Sequence, residues 1–308
     1  MALNLGVPLG LGSGLCWGAA DFFGGIQSRR LPALTVAFWS QLAGALALAV
    51  ALTIEGVRPT PVGFAWGLAA GVGSGCALVL FYRSLAEGTM SVVAPVSACG
   101  AVVPVAAALL TGDQPGALAG LGVSAAIIGV VLVSRTHPAW RPGRPTTPGT
   151  AGRPTGQSTP TRPGTPGRSG RVLAMALGSA LGFGLFYVFV DAGTAGSRGE
   201  PLWVIAGARV SSLVMLSTIA LVGGGSALRW PGRRIGPVAL VGIADTGANL
   251  LFAYAATAGS LAVVGVLGSL YPVATVVLAR WLLGERLSTG QNAGVVLALT
   301  GVGLMAAA

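Results

Sequence analysis

The sequence has few charged side chains and no lysine. Charged residues make up 8% of its 308 residues, whereas a water-soluble domain of this length usually carries about a quarter. Hydrophobic residues account for 53%, and the mean hydropathy is +0.79. This composition excludes an ordinary soluble globular domain, and it excludes disorder over most of the chain.

The residues that metal sites and hydrolytic enzymes need are also scarce. Cys16, Cys76 and Cys99 all lie in apolar stretches and form no CxxC pair, so neither a disulfide framework nor a zinc site is expected. The only histidine, His137, lies outside the apolar segments, and the sequence has neither a Walker A loop nor an HExxH motif. We therefore predict that the protein is not an enzyme, is not driven by ATP, and needs no cofactor or metal.

Long apolar runs are abundant. Each is about 20 residues long, which as a helix is enough to cross roughly 30 Å of hydrocarbon. The runs predict ten transmembrane helices, at approximately 5–26, 33–54, 62–83, 90–110, 115–134, 171–193, 201–223, 235–257, 261–282 and 289–307.

One segment interrupts this pattern. Residues 135–170 are rich in Pro, Gly, Thr and Arg and contain no acid, a composition that cannot bury enough apolar surface to offset the entropy of ordering. We predict a disordered linker at 135–170, between a five-helix half at 1–134 and another at 171–308.

The two halves resemble each other. The segment LGSGLCWGAADFF (11–23) aligns with LGSALGFGLFYVF (177–189), and 97–133 aligns without a gap to 269–305. With five helices per copy, the second copy must enter the membrane from the opposite side. The predicted fold is therefore an all-α integral membrane protein of ten transmembrane helices, arranged as two inverted five-helix repeats, an arrangement typical of secondary transporters.

Arginines suggest how the chain is oriented. The loops after odd-numbered helices carry a net charge of +12, and those after even-numbered helices carry −1. Because short loops rich in Arg stay in the cytoplasm, we predict a multi-pass protein of the cell membrane with a cytoplasmic linker and both termini outside.

The last predicted helix pair carries the most specific resemblance. Residues 260–305 contain Ser269-Leu270-Tyr271-Pro272, then Gly284-Glu285-Arg286-Leu287 before Gln291. This segment resembles the C-terminal repeat of the EamA family, in the drug/metabolite transporter (DMT) superfamily. The first repeat matches less well, because GDQP (112–115) stands where the family has a Gly-Glu-Arg-Leu type of turn.

The resemblance implies a transporter of small metabolites or drugs whose central cavity is lined by helices 1, 3, 4, 6, 8 and 9. We predict a secondary active exporter that works by alternating access, with proton coupling as a hypothesis. A passive facilitator and a non-transporting scaffold or receptor are the alternatives. The expected partners are a small-molecule substrate, the lipid bilayer and protons; nucleic acid is not expected, and the chain is a monomer or a homodimer.

Polar side chains inside the apolar runs mark candidate sites, because an ionisable group at mid-membrane costs at least about 2.5–3.5 kcal/mol unless it faces a cavity or a partner. Asp245 lies near the centre of the eighth predicted helix, and Asn249 follows one turn later on the same face. They are the leading substrate or proton site, and a helix–helix hydrogen bond is the alternative. Arg209, in the seventh helix, is expected to pair with an acid such as Asp245, to contact an anionic substrate group, or to snorkel to the interface.

An aromatic and polar face recurs in the two repeats. Trp17 and Asp21 share one face of the first helix, and Phe183 and Tyr187 occupy the equivalent positions, with Asp191 one turn beyond. We predict that this face lines the cavity and that Asp21 and Asp191 exchange protons; hydration near helix ends is the competing interpretation.

Prolines within the apolar runs are candidate kinks. Tyr271-Pro272 falls within the ninth predicted helix, where a missing backbone donor can bend the helix or free a carbonyl for substrate. Pro95 and Pro104 are expected to kink the fourth helix in the same way. The four-residue ladder of Gly63, Gly67, Gly71 and Gly75 in the third helix predicts close helix packing within one chain, with a dimer interface as the alternative.

Overall fold

The chain folds into a bundle of α-helices in a computed structural model. The structure describes residues 5–110, 116–135, 166–197, 200–225, 228, 230–258, 267–268 and 270–307. These residues contain α-helices and short 3-10 turns but no strand.

The helices of the first half follow the predicted spans closely. They are α1 Gly6–Ser28, α2 Ala33–Glu55, α3 Pro61–Glu87, α4 Met90–Ala98, α5 Val102–Leu110 and α6 Ala117–Arg135. Those of the second half are α7 Pro166–Gly196, α8 Leu202–Val222, α9 Ile235–Ala258, α10 Tyr271–Leu283 and α11 Thr289–Ala306.

Several of these helices suit a membrane. Within the described residues, six helical segments are long and apolar enough to cross a bilayer; they are α2, α3, the segment from α4 into α5, α7, α8 and most of α9. Residues 117–132 of α6 and the whole of α10 are shorter apolar helices.

Some predictions fall on parts of the chain that lie outside the described residues. These are 136–165 of the predicted linker, the GDQP turn at 112–115, residues 259–266 and Ser269. The last five residues of the predicted linker, 166–170, are helical, because α7 begins at Pro166. Proline is well suited to that first helical position, where its missing N–H has no helical partner to lose.

The fourth predicted span is interrupted. A 3-10 turn at Cys99–Ala101 separates α4 from α5. Pro95 lies inside α4 and Pro104 in the first turn of α5, and neither has a backbone N–H that could donate a hydrogen bond. The 3-10 turn lies between the two prolines at which a kink is expected.

Pro272 behaves differently from the expectation. The described helix α10 begins at Tyr271, so Pro272 occupies its first turn and does not kink its interior. A proline in the first turn lacks only a donor that would have no partner inside the helix.

The packing of the helices repeats between the two halves. Helix α3 of the first half packs against α7 and α8 of the second half. The equivalent helix of the second half, α9, packs against α1 and α2 of the first half. The last helices of the two halves, α6 and α11, pack against each other. Exchanging the halves therefore maps the two interfaces of α3 onto those of α9 and maps the α6–α11 interface onto itself, as expected for two related repeats.

We name the two ends of the bundle by residues. The Arg29 end is where α1, α3 and α10 finish, and it carries the loops 29–32, 88–89 and 284–288. The Glu55 end is the opposite one, where α2 and α7 finish.

Glycines permit the close helix crossings. A Cβ atom added to Gly129 of α6 would lie 2.7 Å from the carbonyl oxygen of Gly294 on α11, and one added to Gly301 would lie 2.5 Å from that of Gly122. Gly122 and Gly294 are repeat equivalents, as are Gly129 and Gly301, so the crossing obeys the same two-fold relation.

The glycine ladder of α3 is used within the chain. Cβ atoms on Gly67 and Gly75 would lie 3.0 Å from the backbone nitrogen of Ala208 and 3.1 Å from Cβ of Ser212, both on α8. This confirms the prediction of close packing within one chain; small residues let the two backbones approach, and the gain in van der Waals contact stabilises the pair.

The α6–α11 crossing generates a prediction. Gly129→Ala adds a methyl group that would lie 2.5 Å from the backbone nitrogen of Ala298, so we expect a loss of about 1–3 kcal/mol in stability. The matched control is Gly120→Ala on the same helix, where an added Cβ meets nothing within 4 Å. Thermal unfolding of both variants in detergent checks this, and equal midpoints would contradict the packing role of Gly129.

Candidate functional site

A cavity of about 110 Å³ lies between the two halves of the chain and opens to its surface. The first half contributes residues of α1, α2 and α3, and the second half contributes residues of α7, α8, α9 and α10. The cavity therefore lies at the repeat interface, where inverted-repeat transporters place their substrate site.

A buried arginine organises one wall of the cavity. Arg209 on α8 is only 8% exposed. Its guanidinium group donates to the carboxylate of Asp245 on α9 and to the side-chain carbonyl of Gln41 on α2. A third bond, of 3.4 Å, reaches the hydroxyl of Thr246. The ion pair and its hydrogen bonds compensate for removing the charge from water, which an isolated arginine could not achieve at this depth.

Asp245 is held in place on its own helix. Its backbone carbonyl accepts a 2.6 Å hydrogen bond from Nδ2 of Asn249, one turn later. Its carboxylate keeps a side-chain exposure of 34%, toward the cavity that it lines. Arg209 and Asp245 thus form a neutral pair, of which only the acid is substantially accessible.

The second carboxylate of the cavity is unpaired. Asp21 on α1 lines the same space. Among the described residues, no ion pair or hydrogen bond reaches its carboxylate. Since Arg209 and Asp245 compensate each other, Asp21 is the carboxyl group of the described lining that has no counter-charge.

Aromatic rings form much of the remaining surface. Trp17 packs edge-on against Tyr271 with ring centroids 6.3 Å apart, and Phe186 packs edge-on against Tyr187 at 5.6 Å. Tyr82 and Phe183 complete the aromatic part of the lining. Rings from both repeats therefore face the same space.

The structure brings most of the predicted site residues together. Seven of them line the cavity; they are Trp17, Asp21, Tyr187, Arg209, Asp245, Asn249 and Tyr271. Asp191 does not line it and is exposed on α7. The prolines at 95, 104 and 272 also lie outside the lining.

The set of lining helices differs from the one that the family resemblance implied. The second and seventh predicted spans, α2 and α8, contribute Ser40, Gln41 and Arg209, whereas the fourth span contributes no lining residue within the described part of the chain. The fourth span is engaged elsewhere, because Ser97 of α4 is hydrogen-bonded to Ser179 of α7 at 2.9 Å.

Residues that the sequence did not single out complete the polar surface. Gln41 accepts a hydrogen bond from Arg209, and Ser40, Ser74 and Ser212 line the cavity. A glutamine inside an apolar run is a signal that could have identified Gln41. Serines are common in membrane helices, so nothing in their pattern distinguishes these three.

Glu285 has a role that sequence reasoning missed. It follows α10 but is only 4% exposed. Its carboxylate accepts hydrogen bonds from the backbone nitrogens of Met90, at 3.0 Å, and Ser91, at 2.8 Å. These are the first two residues of α4, whose N–H groups have no partner within the helix. Arg29 adds a contact of 3.5 Å, so Glu285 joins three segments at the Arg29 end.

The turn around Glu285 explains why its residue types occur together. Gly284 adopts a left-handed conformation, φ 63°, that ends α10 and suits glycine best. Ser288 and Gln291 then form a reciprocal capping box that starts α11. The turn therefore presents the Glu285 carboxylate from a fixed position.

The cavity is sealed at the Arg29 end. Beyond Asp21, α1 packs closely on α3 and α4: a Cβ on Gly24 would lie 2.5 Å from the ring of Tyr82, and one on Gly25 would lie 2.8 Å from Cε of Met90. Tyr82 and Met90 are buried.

The equivalent interface in the second repeat, between α7 and α9 at the Glu55 end, is less closely packed among the described residues. Within the described residues, α7 makes no extensive contact with α9 comparable to that of α1 with α3. Tyr187 is 41% exposed, and Asp191, one turn closer to the Glu55 end, is also exposed. The two repeats are thus similar in sequence, but the contact of α1 with α3 is more extensive than that of α7 with α9.

Comparisons with known proteins agree with this architecture. The model of the EamA-like transporter family matches residues 4–135 and 170–307. No curated protein matches the chain. Among the solved structures that match is one described as "Crystal structure of protein", with 14% sequence identity and a TM-score of 0.59 over 97% of this chain and 96% of that one. At that identity the likeness shows the fold alone.

The ion pair generates a prediction. Arg209→Gln and Asp245→Asn each leave one uncompensated charge, so each lowers the thermal midpoint in detergent. The double variant removes both charges, and we expect it to recover about 1–2 kcal/mol of the summed loss. Additive losses would contradict the pairing.

The hydrogen bonds of the Glu285 carboxylate lead to a second prediction. Glu285→Ala leaves two backbone donors without a partner and should cost about 2 kcal/mol of stability, whereas Glu285→Gln keeps one acceptor and costs less. The control is Glu87→Ala, which removes a more exposed carboxylate paired with Arg83 at 2.9 Å; such pairs are worth about 0.2–1 kcal/mol. Thermal midpoints measure all three, and equal losses for Glu285→Ala and Glu87→Ala would contradict the capping role.

Proposed function

The chain belongs to the EamA-like transporter family of the DMT superfamily, and we propose that it is a secondary active exporter of small organic solutes. Its described apolar helices agree with a multi-pass membrane protein. The observation that carries the proposal is the open cavity between the two repeats, which is lined by charged, polar and aromatic side chains.

The difference between the two ends supports alternating access. In this conformation α1 packs closely on α3 and α4 at the Arg29 end, whereas the described residues of the equivalent helices α7 and α9 make few contacts at the Glu55 end. Because the repeats are equivalent in sequence plan, exchanging their packing would close the Glu55 end and open the Arg29 end. A solute in the cavity would then face the other side of the membrane.

Two carboxylates make proton coupling a coherent part of the proposal. No ion pair from the described residues reaches Asp21, and Asp245 keeps an accessible face beside Arg209. Protonation of either group changes the charge of a cavity with low-dielectric walls, so it changes the affinity for a charged solute. A proton gradient can then drive that solute in one direction.

The arginine distribution supports a cytoplasmic Arg29 end. In this orientation the linker at 135–170 would lie in the cytoplasm, both termini outside, and the cavity of the present conformation would face outward, ready to release an exported solute.

Reconstitution tests the function. Liposomes containing the purified chain are loaded with a mixture of amino acids, sugars, nucleosides and amines, and the outside medium is analysed by mass spectrometry with and without a pH gradient. We expect at least one solute to leave faster than from protein-free liposomes. A gradient of one pH unit should support about tenfold accumulation for each coupled proton.

Variants separate the outcomes. Asp21→Asn and Asp245→Asn should reduce the response to the gradient, while Glu87→Gln, a charge change outside the cavity, should leave it unchanged. A flux of solute that does not change with the pH gradient would identify a passive facilitator. If no solute of the mixture moves, the transporter proposal fails and a scaffold or receptor takes its place.

A further inference from the structure

We propose that the cavity recognises small monovalent organic cations with an apolar body, held by the Asp21 carboxylate and the surrounding aromatic rings. This inference rests on the proposed function, because it names the substrate class of the same cavity. It follows from the charges, rings and hydrogen bonds that line that space.

The charge balance favours a cation. The described lining contains three charged side chains, Asp21, Arg209 and Asp245. The last two neutralise each other through their ion pair, which leaves the Asp21 carboxyl group without a counter-charge, so that a bound cation would stabilise its ionised form. Inside a cavity with low-dielectric walls, a single uncompensated charge attracts one counter-charge strongly.

The rings suit the same ligand. Six aromatic side chains line the cavity; they are Trp17, Tyr82, Phe183, Phe186, Tyr187 and Tyr271. Trp17 lies one helical turn before Asp21 on α1, so ring and carboxylate are neighbours on one helix face. Ring faces attract organic cations through their quadrupoles, and they also cover the apolar part of such a molecule.

The described lining offers no free cationic group for an anion or a zwitterion. The only cation in the described lining, Arg209, already donates to Gln41, Asp245 and Thr246. A substrate carboxylate would have to displace Asp245 from Arg209 and would place a second negative charge beside it. The arginine therefore acts as a structural part of the wall and not as a receptor for anions.

The serines provide acceptors for a charged amine. Ser74 and Ser212 each donate their hydroxyl proton to a carbonyl of their own helix, at 3.4 and 3.1 Å. Their oxygen lone pairs remain available to accept N–H bonds from an ammonium group in the cavity.

Ligands of one shape and different charge test the proposal. The probes share a phenylethyl skeleton: 2-phenylethylamine is cationic at neutral pH, 2-phenylethanol neutral, 3-phenylpropanoate anionic and phenylalanine zwitterionic. Benzyltrimethylammonium adds a cation without N–H donors. Binding to the purified full chain in detergent is measured by calorimetry and by thermal shift.

We expect both cations to bind about tenfold or more tightly than the alcohol, and the anion and the zwitterion to bind no better than the alcohol. Asp21→Asn should remove this preference and leave the affinity for 2-phenylethanol within about twofold, because the apolar contacts remain. Glu87→Gln, on the exposed surface, should keep the preference.

The preference of the wild-type chain for cations over the alcohol tests the proposal even if the Asp21→Asn variant fails to fold. The proposal is overturned if neither cation binds, if the alcohol binds as well as the cations, or if phenylalanine or 3-phenylpropanoate is preferred. A folded Asp21→Asn variant that retains the cation preference also overturns it.

Flux measurements separate this inference from the function. Cations that bind but do not exchange across proteoliposomes would support the recognition and refute transport of this class. Exchange of phenylalanine or 3-phenylpropanoate without exchange of either cation would leave the transporter intact and refute the cation as its substrate.

Discussion

The Arg209–Asp245 ion pair is the interaction on which the centre of this molecule depends. A membrane helix can carry an arginine near its middle only if the charge is matched, because the surrounding hydrocarbon offers no compensation. Asp245 provides the matching charge, and Gln41 and Thr246 take further donors. The pair ties α8 to α9, and the bond to Gln41 brings in α2. The cavity has a defined polar wall because these three helices are bound together.

Small residues provide the complementary constraint. At the α6–α11 crossing, glycines from both repeats let the backbones approach, and the α3–α8 contact works in the same way. Such contacts hold helices together by van der Waals packing, without a hydrophobic driving force between them. These contacts hold pairs of helices together while the ion pair organises the cavity wall, so most of the helix surface can remain apolar.

Local patterns in the sequence predicted much of this architecture, but not all of it. Apolar run length located the spans, and the helical spacing of Trp17 and Asp21 placed both on the cavity wall. What could not be predicted depends on residues far apart in the chain. Arg209 had several possible partners, and only the fold, in which α8 and α9 both pack on α2, selected Asp245. The capping role of Glu285 could not be predicted because the N–H groups that it caps lie 194 and 195 residues away in the chain. The contributions of α2 and α8 to the lining likewise follow from helix rotation, which hydropathy does not specify.

The cap on α4 has a consequence for how the chain is made. At synthesis rates of ~5–20 residues per second, the stretch of 195 residues between Met90 and Glu285 takes roughly 10–40 s to complete. During that interval the start of α4 is inserted while its two N–H groups still lack their acceptor. The amino-terminal half of the bundle must therefore wait for nearly the whole carboxy-terminal half before it reaches its final packing. A ribosome that stops before Glu285 leaves a first half that contains all its helices but lacks the carboxylate that completes it.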